Sequence, residues 1–86
     1  MDQVENKGIY SVQVGAYRTE APARSDARPL MMLGYPVRVL RENDLYYVLV
    51  GNFPLLSEAT ELESDLRSLG YDTIIKKVEV EELPEF

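Results

Sequence analysis

The side chains that could do chemistry in this chain are mostly neutral. Ser11 and Gln13 alternate along one apolar run, and Arg38, Leu40, Tyr47, Leu49, Ile74 and Lys76 take the equivalent alternating positions in three other runs. Hydroxyls and amides donate and accept at once, and a guanidinium offers a planar fork of donors. With flat aromatic or aliphatic surface between them, such groups suit a ligand that shows C–H faces and hydroxyl or acetamido edges, as a sugar does. Acid–base and nucleophilic chemistry is poorly served. There is no His and no Cys, so the commonest general base, the best nucleophile and the usual zinc ligands are all missing. A disulfide framework and a thiolate metal site are excluded with them. The pattern brings no pair of acids together beside the neutral set. An enzyme is therefore the least expected class, and no cofactor or metal is expected.

The net charge of −6 is unevenly placed. Residues 79–86 carry −4 through Glu79, Glu81, Glu82 and Glu85, residues 1–8 carry −1, and residues 9–78 are left at −1. A near-neutral core does not fit a partner held by phosphate charge, so no nucleic acid is expected; a neutral or zwitterionic ligand fits better. No apolar run approaches the roughly 18–20 residues of a membrane span, and no signal peptide is visible. No direct membrane contact is expected, and the isolated domain is expected to be monomeric. The polar leader 1–8 and the acidic tail 79–86 flank one domain, 9–78. The chain reads as a domain cut from something larger, with any anchor or signal outside it.

The elements that must position these side chains are written twice. At an offset of 36, Tyr10, Val12, Val14 and Gly15 fall on Tyr46, Val48, Val50 and Gly51, and Leu30, Leu33, Gly34 and Tyr35 fall on Leu66, Leu69, Gly70 and Tyr71. Two copies, about 9–42 and 45–78, are too few for a solenoid and are expected to fold against each other. Residues 9–17 and 45–53 alternate with a period of two and are rich in β-branched and aromatic side chains, so both are strands. Residues 36–42 and 72–79 make two more, and Asn43-Asp44 joins the second strand to the third as a hairpin.

Ala59, Leu62, Leu66 and Leu69 form one helical stripe, with Ser57 as the expected N-cap and Gly70 closing it. Ala23, Ala27, Leu30 and Leu33 form the other, closed by Gly34. Asp26 stands where the second copy has Leu62, and Pro29 falls inside the pattern. That helix is expected to break or restart near Asp26.

The order βαββαβ is the split βαβ, or ferredoxin-like, arrangement. It predicts an α+β fold with a four-stranded antiparallel sheet, first and third strands central, and both helices on one face. Val12, Val14, Val48, Val50, Leu30, Leu33, Leu62, Leu66 and Leu69 are the expected core. Ser11, Gln13, Arg38, Leu40, Tyr47, Leu49, Ile74 and Lys76 then face away from the helices. The plain alternative is a face that is polar only because it meets water. Gln13 argues against that: Gln is a poor strand former, yet it sits mid-strand where the second copy has Leu49. Tyr17 and Phe53 face outward by parity, but a bulge at the preceding glycine would turn them into the core.

Tyr10-Ser11-Val12-Gln13-Val14-Gly15-Ala16-Tyr17 resembles the opening motif of SPOR (sporulation-related) domains: aromatic, x, Val-Gln-Val/Leu-Gly, small, aromatic. Tyr46-Tyr47-Val48-Leu49-Val50-Gly51-Asn52-Phe53 resembles that family's second-half motif, Tyr-Arg-Val-x-Val-Gly-Pro-Phe. The two Leu-Gly-Tyr helix ends match as well, so the resemblance covers about residues 9–78. It implies a duplicated βαβ fold and a non-catalytic module that binds bacterial peptidoglycan, on glycan strands stripped of stem peptides. It also implies the cell envelope and the division septum as location, and a cell-wall amidase or lytic transglycosylase as one possible parent. Gln13 matches the family's strand-one Gln and carries over as a glycan contact. With Ser11, Arg38, Tyr47, Leu49, Ile74 and Lys76 it makes the candidate glycan-binding set. Ala16 replaces a frequent Ser, and Tyr47 replaces a frequent Arg. RNA binding, or a protein-interaction module on the same face, are the competing readings; the first has only Tyr47 as a clear stacking ring.

Overall fold

The computed structural model describes residues 9–78. The elements run β1 (Ile9–Tyr17), α1 (Glu20–Met32), β2 (Val37–Glu42), β3 (Leu45–Phe53), α2 (Leu56–Ser68) and β4 (Ile74–Val78). All three strand pairings are antiparallel, in the order β2-β3-β1-β4. The fold is α+β with the first and third strands central, as the repeat predicts. β1 and β3 are nine residues each, α1 and α2 thirteen each, and both pairs are offset by 36. The leader and the acidic tail lie outside the described residues.

Alternation on the central strands sends Val12, Val48 and Val50 to one face, where α1 and α2 both settle. α1 lies over β1, β2 and β3, and α2 over β1, β3 and β4. Val12, Leu30, Val50, Ala59 and Leu66 form a fully buried cluster that joins the two helices to the sheet. Ala23, Ala27 and Val48 form a second cluster under α1. The alanines let each helix approach the sheet closely, and the leucines fill the volume between. Val14 and Leu62 are partly buried against these clusters.

Leu33 and Leu69 leave the expected core: they are 64% and 49% exposed. Each is the C-cap of its helix, one step beyond the last packed turn. The chain then reverses through Gly34 and Gly70, and the N–H groups of Tyr35 and Tyr71 return to the carbonyls of Leu30 and Leu66 at 3.1 Å each. This is the Schellman closure, and it is Tyr35 and Tyr71, not the leucines, that pack onto the core. Ser57 is likewise not the cap. The N-cap of α2 is Leu55, in extended conformation and without a side-chain cap bond. The hairpin is as expected: Asn43 and Asp44 have φ of 52° and 66°, the paired positive values of a type I′ turn.

α1 is continuous and does not break at Asp26. Pro29 lies late in the helix, and both it and Ser25, whose carbonyl loses its usual donor, are exposed to water. Asp26 has a partner of its own: the Tyr17 hydroxyl donates to its carboxylate at 2.9 Å. That bond, helped by burial and the nearby negative charge, raises the Tyr17 pKa above its ordinary value. The folded state therefore holds this proton more tightly than the unfolded chain. The contribution is complete below the unfolded tyrosine pKa of about 10 and is lost as pH rises through the higher folded value. Above about pH 10 the urea midpoint of the unsubstituted domain is expected to fall more steeply than that of Tyr17→Phe. Parallel alkaline slopes in the two proteins would remove this role from the pair.

A second polar cluster fastens α2 to Thr73, the residue that leads into β4. Arg67 Nε donates to Thr73 Oγ1 at 2.7 Å, and Thr73 Oγ1 donates to Glu63 Oε2 at 2.8 Å. Thr73 is a buried polar side chain, so this satisfaction is structural in purpose.

Candidate functional site

The face away from the helices is organised in rows by the strand register. One row crosses the whole sheet. Arg38 on β2 faces Leu49 on β3, Leu49 faces Gln13 on β1, and Gln13 faces Ile74 on β4. On one side of it Ser11 pairs with Lys76; on the other Leu40 pairs with Tyr47, which faces Ala16. With strands about 4.8 Å apart and rows about 6.6 Å apart, these side chains share one continuous surface.

Two bulges set its ends. Between Tyr10 and Val12, β3 takes three steps where β1 takes two, placing an extra residue at Gly51-Asn52; between Gln13 and Gly15, β1 carries the extra residue. Each bulge reverses the parity that follows. Tyr17 and Phe53 therefore turn onto the helix side and pack on the core. Asn52 turns the other way and enters the open face.

Asn52 is the functional candidate that sequence reasoning missed. Its Oδ1 accepts from Ser11 Oγ at 3.0 Å and from Arg38 Nη1 at 2.7 Å, while Arg38 Nη2 donates to Ser11 Oγ at 3.3 Å. The three side chains come from β1, β2 and the bulge of β3 and form a closed triangle. A signal existed: the bulge that turns Phe53 inward must turn its neighbour outward, and the SPOR motif has Pro where this chain has Asn52. Burial draws the Arg38 pKa down from its usual value, yet a guanidinium remains protonated at any ordinary pH.

Lys76 belongs to the other edge strand. Its Nζ lies 4.4 Å from the centre of the Tyr47 ring and 3.1 Å from Glu42 Oε1 on β2. The side chain thus runs diagonally over β1 and β3 toward the opposite edge of the sheet. Leu49 and Ser11 are fully buried although both point away from the helices. They form the floor of this face and are closed to a ligand as it stands. Gln13, Arg38, Tyr47 and Lys76 are half-buried, and Ile74 is exposed. All seven candidate residues fall on this face, five with accessible surface. Among the described residues, no group of three or more His, Cys, Asp or Glu side chains could hold a metal ion, and no helix is long and apolar enough to cross a membrane.

A family model described as the SPOR domain matches residues 6–77. The chain belongs to the SPOR domain family. Among solved structures, this SPOR domain is similar to the solution structure of the peptidoglycan binding domain of CwlC, a cell wall lytic enzyme of B. subtilis. The identity is 29% and the TM-score 0.78, over 92% of this chain and 100% of the other. No curated protein sequence gives a significant match. The family assignment gives the open face its context. Gln13 of the SPOR opening motif lies at the centre of the long row, and the position of the frequent motif Ser, here Ala16, faces Tyr47 across the strands. Ala16 and Tyr47, two of the departures from the motif, are therefore neighbours on one surface.

Proposed function

We propose that this SPOR domain is a non-catalytic module that binds peptidoglycan through the open sheet face, on glycan strands freed of stem peptides. The observation that carries the reading is the row Arg38–Leu49–Gln13–Ile74 with its Ser11–Asn52–Arg38 triangle. Its accessible members, Arg38, Gln13 and Ile74, put hydrogen-bonding groups and aliphatic surface on one face, which suits the edges and faces of a sugar chain. The similar domain of CwlC is a peptidoglycan binding domain, which supports the same ligand class. The module then serves to hold a parent envelope protein, such as an amidase or lytic transglycosylase, at the cell wall or the division septum. It works as a monomer, since the sheet face is self-contained. RNA is less favoured because Tyr47, the single ring on this face among the described residues, is already covered by Lys76.

The test is co-sedimentation with purified sacculi before and after amidase treatment. Binding is expected to rise with treatment, and Gln13→Ala is expected to weaken it about 2- to 10-fold, the worth of a net neutral hydrogen bond, with an unchanged urea midpoint. Raising salt from about 50 to 200 mM should lower affinity only slightly, against the 10³–10⁵-fold of a protein making six to ten phosphate contacts. A steep salt dependence, or Gln13→Ala binding like the parent, would shift the reading to a protein-interaction surface.

A further inference from the structure

Among the described residues, the open face carries two cations in different circumstances. Lys76 is matched to a carboxylate, that of Glu42. Arg38 meets no carboxylate among the described residues; its contacts are the neutral oxygens of Asn52 and Ser11. Those two bonds engage two of the five guanidinium N–H groups and leave three. Neutral oxygens orient a guanidinium without cancelling its charge. The orientation is firm, because Asn52 Oδ1 also accepts from Ser11 and Ser11 is fully buried. Arg38 is thus a braced and partly desolvated cation whose remaining donors lie in the same row as Gln13. A planar fork of this kind pairs best with a carboxylate, which it can meet through two parallel bonds.

The stripped glycan strand of the preceding reading supplies that group. While a stem peptide is attached, the lactyl carbon of the sugar is a neutral amide. Hydrolysis of that amide leaves a carboxylate in its place. We propose that Arg38 binds this free lactyl carboxylate, and that the preference for stripped strands arises from an ion pair gained rather than from a peptide excluded. The inference rests on the glycan-binding reading and adds to it the group recognised and the residue that recognises it.

The experiment compares two ligands: amidase-treated glycan strands, and the same strands with their lactyl carboxylates converted to methylamides by carbodiimide and methylamine. The unsubstituted domain is expected to bind the methylamide about 10- to 100-fold more weakly, the range for a hydrogen bond to a charged group. Arg38→Gln is expected to bind both ligands alike, near the level of the unsubstituted domain on the methylamide. Arg38→Lys is expected to fall between, because a point charge cannot form the paired bonds. Equal binding of the two ligands by the unsubstituted domain would overturn the proposal and leave the glycan reading intact. Discrimination that survives in Arg38→Gln would overturn it too. Failure to bind either ligand would overturn both. The comparison of ligands needs no variant to fold, so it stands even if Arg38→Gln disturbs the triangle.

Discussion

An alanine at Gly51 is expected to unfold much of the population and to dismantle the open face in whatever stays folded. Gly51 has φ of +74°, and an added Cβ would lie 2.6 Å from Phe53 Cε2 and 3.1 Å from Leu62 Cδ2. The backbone conformation costs a non-glycine residue about 1–3 kcal/mol, and forcing a methyl group into packed surroundings costs about 1–3 more. A domain of this size has a total near the low end of about 5–15 kcal/mol. The position also carries the bulge that places Asn52 beside Ser11 and Arg38. Urea denaturation should show a midpoint lowered by a large fraction, and glycan binding at low temperature should be lost together with stability. Gly70→Ala is the control: its φ is also positive, but an added Cβ meets nothing within 4 Å, so only the backbone cost of about 1–3 kcal/mol is expected. If Gly51→Ala and Gly70→Ala unfold at the same urea concentration, the close packing described at Gly51 is wrong.

Truncating Leu66 to alanine is the second large effect. Leu66 is fully buried and belongs to the cluster that holds both helices to the sheet. Its carbonyl also receives the Tyr71 N–H that closes α2. Removing the side chain loses transfer free energy and leaves a cavity, together about 2–5 kcal/mol. The expected result is a domain close to half unfolded at 37 °C by circular dichroism, with lowered cooperativity. Leu69→Ala is the discriminating companion, because the same stripe contains it but the fold exposes it. Its midpoint should change by no more than about 0.5 kcal/mol equivalent. Equal losses in the two variants would mean that the leucine stripe is buried along its whole length.

Much of this could be read from the residues. Alternation in Tyr10-Ser11-Val12-Gln13 and Tyr46-Tyr47-Val48-Leu49 was enough to sort the two faces, because a half-buried strand has a period of two and any slip would bury Gln13 and Arg38. The helix ends were legible for a similar reason: glycine is the residue that reverses a chain after a helix. Leu33 and Leu69 misled because periodicity does not say where the sheet stops supporting the helix. Asp26 and Pro29 mislead because local propensity alone does not show what surrounds them. The Tyr17 hydroxyl that accommodates Asp26 is nine residues away, and the cost of Pro29 is relieved by water at an exposed carbonyl.

By itself, then, the amino-acid order determined the α+β class, the strand order, the side of the sheet left without helices and the mostly neutral character of that side. Each follows from short-range patterns that bury apolar area and leave polar groups in water. Only the tertiary structure decided that Asn52 belongs to the site, that Ser11 and Leu49 form its closed floor, and that Lys76 and not Arg38 has a carboxylate to answer it. Those facts depend on a bulge that shifts parity by one residue and on one lysine side chain that reaches from one edge strand to the other. Neither leaves a period in the chain, because each arises from contacts between residues far apart in sequence.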